Sequence, residues 1–262
     1  MTGRAKLALA AAILGALAFL ATPYVRAAVL LLRLDDVPTE PITATLGPLE
    51  ADRYGSGPPI LLVHGVHPEG NAEARTRALA SAIARDGFTV YALALDELAA
   101  FHFDASIVQR LGDAGDALQG SAGPFGIVAI SVGGTIALRA RAERGWSGAV
   151  LTIGAPASLR SLVEHHRDSG SVYAERVLNA LAGGLDLSDF EPSLPQPDGS
   201  DPIFLLHGTD DSLVPVSHVY ELCEAVHCEQ ALETRWLSHA DRHGESPWSV
   251  IAFASNAFRA MR

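Results

Sequence analysis

A serine hydroxyl attacks a carbonyl only when a base takes its proton, so a nucleophilic serine must be presented in the open. Ser131 sits where that is feasible. It follows the apolar run Ile127-Val128-Ala129-Ile130 and precedes Val132-Gly133-Gly134-Thr135. A buried strand running into a serine, small residues and a helix makes a sharp turn, and its crowded backbone needs small neighbours. The plain alternative is a serine at an ordinary helix N-cap. A base and an acid to orient it lie downstream. Gly208-Thr209-Asp210-Asp211-Ser212-Leu213-Val214-Pro215 offers two adjacent carboxylates, which could equally be turn residues. Ser238-His239-Ala240-Asp241-Arg242-His243 offers two imidazoles. Upstream, Leu61-Leu62-Val63-His64-Gly65-Val66-His67-Pro68 ends another apolar run in a loop.

In chain order these segments run serine, acid, histidine. They resemble the α/β-hydrolase superfamily, with its nucleophile elbow G-x-S-x-G, its oxyanion loop and its post-strand G-x-x-D-x-x-V-P. One position departs, since Ala129 replaces the first glycine, and alanine is the mildest replacement. The resemblance spans about residues 60–261. It implies Ser131 as nucleophile, Asp211 as acid with Asp210 the alternative, and His239 as base with His243 the alternative. His239 is preferred because the loop leaving the sheet edge must aim it back at the serine. The implied oxyanion donors are the backbone N–H groups of Val66 (or His67) and Val132. His64 is read as tying the loop down. An aspartate at 131 would suggest a dehalogenase and a cysteine a dienelactone-type enzyme; the residue is serine. No metal or organic cofactor is implied.

The elements that must position these groups follow from periodicity. Strands are predicted over 42–49, 51–54, 60–63, 89–95, 127–130, 149–153, 203–206 and 233–237. Helices are predicted over 72–86, 107–118, 135–144, 158–166, 173–181, 217–226 and 248–261, with Gly112 and Gly115 weakening the second. Such alternation means a mostly parallel central sheet with helices on both faces. The rhythm breaks over 157–201, read as a small lid inserted above the sheet edge where such folds place their sites. The fold class expected is therefore α/β, as an α/β-hydrolase fold with an inserted lid.

The first segment has another character. Residues 7–21 are apolar without interruption and follow Arg4 and Lys6; Pro23 comes next, then a second apolar run over 27–32. The first run alone is short for a crossing, but a helix continuing through Pro23 suffices. Residues 1–34 are read as a membrane anchor, with a cleaved signal the alternative, and 35–262 as the hydrolase domain. Arg4 and Lys6 favour a cytoplasmic N-terminus and an exported domain, although Arg26 and Arg33 blunt the asymmetry. Cys223 and Cys228 are either two free thiols or one disulfide; the latter needs Cys228 past its helix end and an oxidising compartment. The net charge of −11, without a basic stripe, argues against nucleic-acid binding. The histidine pair His165-His166 lacks metal-ligand partners and reads as surface chemistry.

Together these features point to hydrolysis of an ester, thioester or similar acyl bond through an acyl-enzyme on Ser131. The expected substrate is a small acyl compound, of hydrophobic character if the anchor and lid are a guide. Two alternatives stay open at this level: a non-catalytic binding or scaffold module of the same fold, and an acyltransferase using the same residues.

Overall fold

Short apolar runs punctuated by glycine and proline form the strands, and the longer amphipathic stretches between them form the helices. The computed structural model describes residues 3–166, 190, 201–239, 242–244 and 246–262. Among them is an eight-stranded sheet in the order β1-β2-β4-β3-β5-β6-β7-β8. β1 (Ile42–Leu46) and β2 (Leu49–Gly55) form an antiparallel hairpin at one edge, and β2 also pairs antiparallel with β4 (Thr89–Leu93). From β4 onward, β3 (Pro59–Val63), β5 (Gly126–Ile130), β6 (Val150–Ile153), β7 (Ile203–Gly208) and β8 (Gln230–Thr234) are all parallel. Every residue of β5 and β7 is buried, as a parallel sheet covered on both faces requires.

Two apolar layers cover the sheet. One holds α4 (Ser106–Ala122), α5 (Val132–Arg144), α6 (Leu159–His166) and α7 (Ser217–Val226). The other holds α2 (Ala74–Arg85), α8 (Trp248–Ala260) and the last turns of α1 (Gly3–Leu32). A one-turn helix, α3 (Asp96–Ala99), lies between β4 and α4. Gly112 and Gly115 do not break α4. A Cβ at Gly112 would lie 2.4 Å from Arg144 Nε, and one at Gly115 would lie 2.2 Å from the Trp146 ring. Both glycines admit large side chains arriving from the end of α5, and tertiary packing outweighs their poor helix propensity.

Two sequence expectations meet the structure differently. The last strand is Gln230–Thr234, not 233–237. The Trp236 N–H donates to Thr234 Oγ1, which ends the strand, and Trp236 and Leu237 then turn into the α2–α8 layer. Their apolar character reflects that packing and not a strand register. Most of the expected lid over 157–201, including the helix expected over 173–181, lies outside the described residues; α6 and Phe190 are its described parts. Phe190 is fully buried, with its ring edge-on to Phe103 at 6.3 Å.

The first helix runs unbroken through Pro23 and is long and apolar enough over Ala11–Asp35 to cross a membrane. Leu14, Leu17, Phe19 and Leu20 are exposed, whereas Ala27, Leu30 and Leu31 are buried in the domain. Arg26 pairs with Asp86 at 2.9 Å, and Tyr24 stacks on Trp248.

Candidate active site

Parallel strands deliver their loops to one sheet edge, and there the structure brings Asp211 and His239 into contact. Ser131 is the hinge between β5 and α5. Its φ of 53° and ψ of −134° lie outside ordinary strand or helix values. Its N–H donates to the Ile153 carbonyl at 2.8 Å, and its own carbonyl accepts from the Gly134 N–H at 2.8 Å. The neighbours must be small for steric reasons. A Cβ at Gly133 would sit 2.3 Å from the His64 carbonyl oxygen, one at Gly134 would sit 2.7 Å from the Ala155 Cβ, and one at Gly65 would sit 2.9 Å from the Ser131 Cβ. Ala129 lies inside β5 opposite Val63 and Thr152, fully buried, so a methyl is accommodated where the resemblance has glycine.

Asp211 follows β7 and is buried. Its Oδ1 accepts the N–H groups of Leu213 at 2.9 Å and Val214 at 2.8 Å; its Oδ2 meets His239 Nδ1 at 2.7 Å. Burial alone would raise its pKa. Hydrogen bonds from His207 and His239, the His239 charge and the Val214 N–H outweigh burial and hold the carboxyl well below the usual range. Asp210 and His243 are both exposed, so of the two possible acids and two possible bases the structure brings together Asp211 and His239. The ring of His239 lies against Gly154, where a Cβ would be 3.3 Å from Nδ1. Gly154 directly follows Ile153, the acceptor of the Ser131 N–H. The imidazole therefore stands beside the strand end that holds the serine.

The loop after β3 is pinned from within. His64 is buried. Its Nε2 accepts the Leu95 N–H at 3.2 Å, which leaves Nδ1 to donate to the Gly65 carbonyl at 2.6 Å. Burial lowers its pKa and keeps the ring neutral. In a trans peptide the Val66 N–H points opposite to that carbonyl, away from the His64 ring. Val132 opens α5, and a first-turn N–H has no acceptor within its helix. Among the described residues neither the Val66 nor the Val132 N–H donates to any acceptor. The positive end of α5 adds to their attraction for an anion.

Several supporting residues carried no sequence signal. His207, fully buried at the end of β7, places Nε2 2.9 Å from the Val214 carbonyl and 3.4 Å from Asp211 Oδ2. Gly208 has no room for any side chain, because a Cβ would fall 1.8 Å from the Ser238 carbonyl oxygen. That vacancy lets the chain carrying His239 cross the end of β7 to reach Asp211. His166 is buried instead of lying on the surface, and its Nε2 meets the Leu213 carbonyl at 2.6 Å, tying α6 to the Asp211 turn. His218 accepts the Ala157 N–H through Nδ1, and burial lowers its pKa. Among the described residues no group of three or more His, Cys, Asp or Glu is arranged to hold a metal ion. Cys223 and Cys228 form a disulfide.

No protein-family model matches the chain, and no curated protein matches it in sequence. Solved structures match it closely in shape. A hormone-sensitive-lipase homologue from a metagenome library superposes with a TM-score of 0.65 at 16% identity, over 93% of this chain and 98% of its own. An esterase from Pyrococcus furiosus gives 0.60 at 15%, over 85% and 91%. A dienelactone hydrolase from Anabaena variabilis gives 0.57 at 20%, over 86% and 100%. At such identities the likeness is one of fold.

Proposed function

We propose that this chain, which has the α/β-hydrolase fold, is a serine hydrolase that cleaves an ester or related acyl bond through an acyl-enzyme on Ser131. The observation that carries this reading is the 2.7 Å bond between His239 Nδ1 and Asp211 Oδ2, formed beside a serine held at positive φ on the same sheet edge. With Nδ1 bonded to the carboxylate, Nε2 of His239 is left to take the Ser131 proton. Oγ then attacks the carbonyl carbon, and the resulting oxyanion rests on the N–H groups of Val66 and Val132. The imidazolium returns its proton to the leaving alcohol as the ester bond breaks. Water, deprotonated by the same imidazole, attacks the acyl-enzyme and frees the acid and Ser131. Asp211 stays ionised throughout, orienting the ring and stabilising its charged form.

The acyl group is proposed to be hydrophobic. Support comes from the apolar helix α1, long enough to cross a membrane, which would hold the domain near lipid-like esters. Residues 1–34 are proposed to anchor the domain of residues 35–262 to a membrane, with the insertion over 157–201 as lid. The disulfide supports an exported domain, since such bonds persist in oxidising compartments.

Hydrolysis of p-nitrophenyl esters of graded acyl length tests this. Wild type is expected to turn over at least one of them, with Ser131→Ala and His239→Ala inactive. Wild-type rates in Ser131→Ala would refute the assignment of the nucleophile.

A further inference from the structure

We propose that the junction of α1 with α8 binds one anionic phospholipid, gripping its phosphate with arginines and its first acyl methylenes with an apolar wall. The inference rests on the membrane-anchor reading and is independent of the chemistry at Ser131.

A cavity of about 320 Å³ lies between the two helices. Its lining includes the apolar Phe19, Leu20, Leu30 and Phe258 and the basic Arg26, Arg259 and Arg262. Asp86 is the carboxylate in the lining, and it is shared by Arg26 at 2.9 Å and Arg262 at 2.6 Å. Arg259 is exposed and has no ion-pair partner among the described residues. Three guanidinium groups and one carboxylate in a single lining leave a local excess of positive charge, on a chain whose net charge is −11. Guanidinium pairs bidentately with phosphate oxygens, and less hydration is lost than with ammonium.

The floor carries a second, independent sign. Ser255 lines the cavity, is 2% exposed, and its Oγ has no hydrogen-bond partner. Buried hydroxyls are rarely left so. An ester or phosphate oxygen of a bound lipid would accept from it.

The position of the cavity decides between a lipid and a soluble phosphate. On α1 the exposed apolar stretch gives way to Tyr24 and Arg26, and Tyr24 stacks on Trp248 at 5.4 Å, with Trp248 67% exposed. Tyrosine, tryptophan and arginine at the end of an apolar helix mark the headgroup level of a bilayer. Along α1 the lining runs from Phe19 and Leu20, before that boundary, to Arg26, past it. This is the order of chain, ester and phosphate in a phospholipid. A soluble phosphate would leave the apolar wall uncovered.

The test uses the full chain in nanodiscs holding equal parts of phosphatidylglycerol and phosphatidylcholine, ejected for native mass spectrometry. One retained phosphatidylglycerol per chain is expected. Arg259→Glu is expected to lower its retention about tenfold, as for loss of one charge-assisted hydrogen bond, with labelling of Ser131 unchanged. Equal retention of the two lipids, unchanged retention in Arg259→Glu, or complete displacement by excess inorganic phosphate would overturn the proposal. Alkaline carbonate extraction of the wild-type chain from membranes would instead refute the anchor reading beneath it. Loss of lipid selectivity in carbonate-resistant chain is a separate outcome that refutes the lipid site alone.

Discussion

At φ 53° and ψ −134° Ser131 holds a backbone conformation that a Cβ makes costly. Such strain is worth about 1–3 kcal/mol at functional sites. Glycine at 131 would release it, at an entropic cost of about 0.5–1 kcal/mol in the unfolded chain. The net expectation for Ser131→Gly is a gain of roughly 0–2.5 kcal/mol. For a domain of this size that raises Tm by up to about 10 °C. Ser131→Ala keeps the Cβ and the strain, so its Tm should stay near that of wild type. Both variants should lose esterase turnover. The assay is thermal unfolding by circular dichroism on full-length protein in one detergent, beside turnover of a p-nitrophenyl ester. Because Ala27, Leu30 and Leu31 are buried in the domain, truncation at residue 34 would strip core residues and is the wrong reference. A Ser131→Gly protein less stable than wild type would refute the strain argument. So would an equal gain in Ser131→Ala, since the hydroxyl and not the backbone would then be the source.

Other perturbations follow from the same geometry. Gly208→Ala would drive a methyl into the Ser238 carbonyl and push His239 away from Asp211; kcat should fall about a hundredfold or more while the far-ultraviolet spectrum is kept. Asp211→Asn should lower kcat by about 10⁴, the scale for losing a triad acid. Asp211 is also a stability element. Its folded pKa is depressed, so its contribution is full above the ordinary carboxylate pKa near ~3.9 and is lost as pH falls towards the folded value. The stability difference between wild type and Asp211→Asn, measured by urea unfolding, should shrink only below that point. His64, held neutral, works in the same direction at higher pH. Its contribution is present above about 6.5 and declines as pH falls, so His64→Asn should flatten the fall in stability below that pH. Cys223→Ser opens a short loop and should cost about 2 kcal/mol by loop-closure entropy, read as a shift in urea midpoint.

Part of the fold and of the site is legible in the sequence because the demands are local. The run into Ser131, the His64-Gly65 loop and the turn after β7 each impose backbone constraints within a few residues, and residue types record them. The choice between His239 and His243 was different. It depends on Gly208 letting a distant loop cross the end of β7, a contact 30 residues apart in the chain. The edge strand β8 is only partly buried, so its pattern gave no register, and Trp236 drew the expected strand three residues too far. His166 was expected at the surface and His218 drew no reading, because imidazole type does not reveal burial. Their partners, Leu213 and Ala157, lie 47 and 61 residues away. The disulfide turned on whether Cys228 passes the helix end. It does, because His227 takes a left-handed conformation just after α7 and folds the chain back.

The most direct test of the central claim is labelling of the full-length chain with a fluorophosphonate, followed by peptide mapping of the modified residue. One phosphonylated serine, Ser131, is expected, with labelling abolished in Ser131→Ala and strongly slowed in His239→Ala. A folded wild-type chain that stays unlabelled, or a label on any other serine, would contradict it.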